Sequence, residues 1–162
     1  MTSTDVTRPF VVAPGEGEAT WFLGTLITVK ATAGQTNGAF GLIEQVLPPG
    51  FAPPPHTHRV EDEAFYILEG EFIFTCDGRS FPASVGSFVY FPRDLPHTFS
   101  VTGAGQARLL QLTCPGGLER FFVEAGSPAP RRELPPPGPI DIGPVLALAG
   151  EYRFEVLPPP GH

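Results

Sequence analysis

The sequence predicts an all-β fold, a sandwich or barrel of short strands, on three observations. Short apolar runs of Phe, Val, Ile, Leu and Thr recur at intervals of about 8–12 residues. The 21 prolines and 19 glycines fall between those runs, as turns do. Two tight turns, Glu69-Gly70 and Asp77-Gly78, each join a pair of apolar runs, and the second has the residue chemistry of a type I′ hairpin.

Along the chain, strands are expected near Phe10–Val12, Trp21–Ala31, Phe40–Leu47, Ala64–Leu68, Glu71–Cys76, Arg79–Phe81, Ser87–Phe91, Thr98–Val101 and Arg108–Thr113. Each is bounded by Gly, Pro, Asn or Asp. The period changes after Gly116-Gly117. Leu118, Phe121, Phe122 and Ala125 then sit on one face of a short amphipathic helix. A second, weaker helix is expected from about Pro144 to Ala149, after Asp141 and before Gly150. With no internal repeat and no linker, residues 1–162 read as one domain. Its barrel core covers about 21–114, and a helical, proline-rich extension covers 115–162.

Composition excludes several function classes. The formal charge is −7, and Lys30 and the arginines are scattered rather than clustered, which argues against a nucleic-acid partner. The longest apolar stretch, Trp21 to Val29, is too short to span a membrane. The N-terminus shows no charged segment followed by an apolar one, so a cytoplasmic location is expected. Cys76 and Cys114 form neither a CxxC pair nor a disulfide framework and read as free core thiols.

The chemistry concentrates between Gly50 and Gly70. His56 and His58 are two apart, so a strand presents both imidazoles on one face. Glu63 lies five beyond His58, an odd offset that needs a bend or bulge across Arg59–Asp62 to bring it back. His97, after a proline turn at a strand start, offers a fourth ligand. The chain has four histidines, and all three internal ones fall where a metal needs them. Three imidazoles and one carboxylate suit one divalent transition metal, whether Ni, Fe, Mn, Co, Cu or Zn. Glu61 and Asp62 read as solvated loop charges. Alternation places Phe65 and Ile67 on the face of Glu63, and Phe99 and Val101 on the face of His97; Tyr66 faces away. Gln45 and Gln111 are candidate polar contacts inside.

Both segments resemble the two motifs of the cupin superfamily, G-x5-H-x-H-x4-E-x6-G and G-x5-P-x-G-x2-H-x3-N. The first matches at every defined position from Gly50 to Gly70. The second matches at Gly86, Pro92 and His97 but has Asp94 where the family has glycine and Val101 where it has asparagine. The resemblance implies a cupin jelly-roll β-barrel with one or two short C-terminal helices, and a metal on His56, His58, Glu63 and His97. Further stretches, among them Gly24–Val29, Phe65–Gly70 and Pro115–Phe122, are similar to the bacterial monocupin quercetin 2,3-dioxygenases. That similarity implies a dioxygenase that cleaves a flavonol or related aromatic enol with O2 and releases carbon monoxide. Glu63 would be both ligand and catalytic base, and Phe65, Ile67, Phe99, Val101 and Gln111 would line the substrate pocket. Cupins host many chemistries, so a polyketide or natural-product cyclase, an isomerase or a non-catalytic metal-bearing binding cupin stands beside it. Sugar-phosphate isomerases are disfavoured, because the inward faces carry no Arg or Lys to hold a phosphate. Family analogy also implies a homodimer, with Phe10–Val12 as the segment that crosses over.

Overall fold

Alternation decides the architecture. The strands Gly41–Leu47 and Ala107–Cys114 bury every second residue, so each has one apolar face that another layer must cover. The structure is a computed structural model and describes residues 8–158. In chain order the strands are β1 (Ala19–Phe22), β2 (Thr25–Ala31), β3 (Gly41–Leu47), β4 (His56–His58), β5 (Asp62–Glu69) and β6 (Phe72–Cys76). They continue as β7 (Arg79–Ala83), β8 (Phe88–Phe91), β9 (His97–Val101), β10 (Ala107–Cys114), β11 (Ser127–Pro128) and β12 (Phe154–Val156). The helices are α1 (Leu118–Ala125) and α2 (Gly143–Leu148).

Two antiparallel sheets result. One runs β11-β1-β2-β3-β10-β5-β8 and the other β12-β4-β9-β6-β7. The core between them is filled from both sides, by Phe65, Ile67 and Leu109 of the first sheet and Phe72, Phe74 and Phe99 of the second. Non-sequential neighbours in two facing sheets make this a jelly roll, the expected class. A second apolar cluster, with Phe22, Ile27, Ile43 and Phe154, packs against Leu118, Phe121 and Phe122 of α1 and Val145 of α2. The helix therefore spans the residues its periodicity predicts and buries the face expected.

Several expectations change. The run Trp21–Ala31 is a hairpin rather than one strand: Leu23 (φ 48) and Gly24 (φ 78) form a two-residue turn, and Phe22 pairs with Thr25. Leucine is an uncommon residue at positive φ, so composition does not announce this turn. Phe10–Val12 is not a strand. Pro9 and Pro14 bracket it, Val11 is 88% exposed, and no described strand lies beside it. The extension beyond residue 114 is also more than helix and coil, since it supplies β11 to one sheet and β12 to the other. Cys76 and Cys114 are free, as expected. No helix among the described residues is long and apolar enough to cross a membrane.

Two local devices hold the site end of the barrel. Glu119 in the first turn of α1 is buried and accepts hydrogen bonds from the Gly117 N–H (2.7 Å) and the Ala33 N–H (2.6 Å). One carboxylate thus satisfies a helix N-terminal donor and ties the β2–β3 loop to the helix. The second device is Asp94, which replaces the glycine of the second motif and adopts φ 68. Aspartate is among the residues that visit this region at modest cost, so the turn survives the substitution, and Asp94 pairs with Arg59 at 3.3 Å. Val101, in place of the motif's asparagine, is buried in the core. Asp94→Gly should therefore shift stability by less than about 1 kcal/mol, because relieved strain and a lost exposed ion pair offset each other. Asp94→Val should lower it by about 1–2 kcal/mol. Urea-unfolding midpoints of the two variants check both values.

Candidate metal centre

The site forms where the two sheets face each other. β4 carries His56 and His58 inward from the five-stranded sheet, and His97 of β9 stands directly beside His56 in register. Glu63 comes from β5, in the opposite sheet. Its odd offset is resolved by a bend at Arg59-Val60, after which the chain enters the other layer. A change of sheet turns the inward face of β5 toward the inward face of β4, which a bulge within one strand would not do.

One ligand atom from each of His56, His58, Glu63 and His97 lies within 4.8 Å of the others. The His97 Nε2–Glu63 Oε2 distance is 2.6 Å, and His58 Nε2 stands 3.5 Å from Glu63 Oε1. The far nitrogens are directed outward: the His56 Nδ1–H donates to the Pro54 carbonyl (2.8 Å) and that of His97 to the Leu95 carbonyl (3.0 Å). In both cases a proline (Pro55, Pro96) separates the histidine from the carbonyl that holds it. Those bonds leave each Nε2 lone pair facing the cluster.

Electrostatics follow from burial and proximity. Burial pushes the His56 imidazole down to about 4, helped by the neighbouring His58 and His97. Burial likewise lowers His58. For His97 burial also acts downward, but the hydrogen bond to Glu63 and its charge more than offset it, and the ring is raised. Burial alone would raise Glu63; His58 first, and then the bond to His97, overcome this and hold the carboxyl at about 2. Glu61 is pushed up to about 7 by burial and by the charge of Glu63. The centre is thus a carboxylate inside a ring of largely neutral imidazoles.

The donor set fits a metal ion. With its Nδ1–H given to the Leu95 carbonyl, a neutral His97 has only a lone pair at Nε2 to face the buried Glu63 Oε2 at 2.6 Å, so a proton or an ion must lie between these two acceptors. A site of three His nitrogens and one carboxylate oxygen can hold a transition metal and leave open positions for other ligands.

The other expected residues divide. Phe65, Phe99 and Gln111 line a cavity of about 70 Å³ that reaches the cluster. Ile67 and Val101 lie in the packed core instead and are not among the lining residues. Tyr66 is exposed while Phe65 is buried, as alternation requires. Gln45 lines the cavity and hydrogen-bonds weakly to Thr25 at 3.5 Å. The Gln111 amide donates to Glu63 Oε1 at 2.6 Å, so within the protein it addresses the carboxylate. Glu61 is buried, not solvated, whereas Asp62 sits nearer the surface and pairs with Arg93. The residues that sequence reading missed come from the C-terminal extension. β12 pairs with β4, placing Phe154 opposite His58 and Val156 opposite His56. Phe121, Phe122 and Val145 also line the cavity. The only advance signal for this was the apolar face of α1.

Gln111→Leu should leave Glu63 Oε1 without its donor in a buried setting and lower the stability of the metal-free protein by about 1–3 kcal/mol. The urea midpoint checks this, and an unchanged midpoint would show that the bond carries no weight.

Comparison with known proteins agrees with this architecture. The family profile described as Cupin domain matches residues 43–113. A quercetin 2,3-dioxygenase of Bacillus subtilis (strain 168) is 27% identical over 128 residues, covering 79% of this chain and 38% of that protein. Polyketide synthase CurC of Streptomyces cyaneus is 33% identical over 88 residues, covering 54% of this chain and 55% of that protein. The chain thus spans only part of the length of these curated relatives. Among solved structures, a predicted oxalate decarboxylase of Thermotoga maritima superposes with a TM-score of 0.60 at 23% identity, covering 65% of this chain and 99% of that one. The match to the Cupin domain profile over residues 43–113, the motif spacing around His56 and His97 and the jelly-roll topology agree with one another.

Proposed function

We propose that this protein is a metal-dependent dioxygenase that holds one divalent transition metal on His56, His58, Glu63 and His97 and acts with O2 on a flavonol or related aromatic enol. The observation that carries the reading is the contrast within one cavity. Four ligand-type side chains meet in its lining, its walls are chiefly Phe, Leu, Pro and Val, and no Lys or Arg among the described residues lines it. A flat, uncharged aromatic guest suits such walls, and a phosphorylated one does not. The similarity to the Bacillus quercetin 2,3-dioxygenase supports the same reading.

The metal would supply Lewis-acid polarisation of a substrate oxygen. The chain's own residues do the rest. Backbone carbonyls hold His56 and His97 with Nε2 inward. Gln111 occupies Glu63 Oε1, so Oε2, which faces His97 Nε2 at 2.6 Å, is the atom that would take a proton from the substrate hydroxyl. The same oxygen is the one available to the metal, and it serves one role at a time. Glu63 is a weak base by its pKa, so it would act by position, within reach of the hydroxyl. The phenylalanine walls exclude water from the reaction.

The cavity's volume sets a condition. About 70 Å³ is well below the roughly 300–1,000 Å³ of typical small-molecule pockets. A flavonol would have to displace part of the lining, to which α1, α2 and β12 contribute.

A second reading has a specific support. The Streptomyces polyketide synthase component is 33% identical over its matched 88 residues, against 27% over 128 residues for the dioxygenase. A related polycyclic phenol processed on the same four residues is the alternative.

Metal-loaded protein incubated with quercetin in air should consume the flavonol absorbance and release carbon monoxide. No loss with nickel, iron, manganese, cobalt, copper or zinc would reject the flavonol reading. Glu63→Gln should lower turnover by at least about 100-fold. Retention of full turnover together with bound metal would show that Glu63 is not the base.

A further inference from the structure

We propose that Glu61 is a positioning residue for the metal centre: its carboxylate accepts the Nδ1–H of His58 and holds that ring with Nε2 directed at Glu63. The inference rests on the reading of the four-residue cluster as a metal site, and it concerns a residue outside that cluster.

The three histidines are not held alike. His56 and His97 each follow a proline, and each donates Nδ1–H to the carbonyl two residues back. His58 follows Thr57, and its Nδ1 is buried with no hydrogen-bond partner among the described residues. Glu61 is 5% exposed, and its Oε2 is a second buried atom without a partner. These two orphans face each other at 3.7 Å, a few tenths of an ångström beyond hydrogen-bonding range.

A buried carboxylate oxygen with no donor is costly, and a buried ring nitrogen with no acceptor leaves its tautomer undefined. Each group answers the other's need. A carboxylate behind a metal-bound imidazole fixes the ring and raises its basicity, and outer partners of this kind affect metal affinity about 10–100-fold. Neutral carbonyls do this work for the other two rings, so His58 would be the one ligand backed by a charge. The three-residue spacing follows from the bend at Arg59-Val60, which turns the chain back across the ring before β5 begins.

Two measurements on the full chain test this. Long-range 15N–1H NMR of metal-free protein at about pH 8 should show His58 protonated at Nδ1, and Glu61→Ala should shift that population toward Nε2–H. Competition titration with zinc should show Glu61→Ala binding about 10–100-fold more weakly than wild type. Glu61→Gln, which keeps an oxygen acceptor, should restore the tautomer and most of the affinity, and Asp62→Asn should leave both unchanged. A purely structural role would lower the melting temperature of Glu61→Ala without moving the tautomer. Wild-type His58 protonated at Nε2, or unchanged zinc affinity in Glu61→Ala, would overturn the proposal. Wild-type protein that binds no zinc, cobalt or nickel would overturn the metal reading and this proposal with it, a result distinct from zinc-binding protein indifferent to Glu61.

Discussion

The rest of the site depends on one buried carboxylate. Glu63 lies at 2% exposure in the interior of an apolar barrel, where a charge is tolerated only with close polar partners. Those partners come from every side: His97 and His58 from the opposite sheet, and Gln111 from the neighbouring strand of its own. Supplying them constrains the register of β4, β5, β9 and β10 together. A slip of one residue in any of these strands would exchange a site residue for an outward-facing one.

The fold and the cluster were legible in the sequence for different reasons. The strands of the larger sheet announce themselves by alternation, and α1 by its apolar face, because one side of each is buried and the other is not. His56 and His58 were legible from spacing, but their strand was not. β4 is three residues long and sits among prolines, so neither propensity nor alternation has enough residues to speak. Glu61 was misread because a run of acidic residues suggests solvent. Which member of Glu61-Asp62-Glu63 is buried depends on how the chain crosses between sheets, a tertiary fact. The turn at Leu23-Gly24 escaped for the opposite reason, since an apolar residue occupies a position that turns normally give to Gly or Asn.

The C-terminal extension was the least legible part and the one that most shapes the cavity. Its sequence is proline-rich and its strands are two and three residues long. Nothing local marks Phe154 as a neighbour of His58, yet their ring centroids are 5.5 Å apart, and Phe154 also packs edge-on against Phe121 at 4.8 Å. Long-range pairing of this kind is written in the complementarity of two surfaces rather than in either segment.

The pairing of β12 with β4 also links two demands that are usually met separately. β12 is the outermost strand of its sheet and covers the strand that bears two of the four site residues. If that tail lifts to admit a guest, the hydrogen-bonding edge of β4 is bared in the same movement, and bare edges invite pairing with other chains. Access to the cavity and protection against unwanted association are therefore governed by one short strand, and a change that eases the first weakens the second.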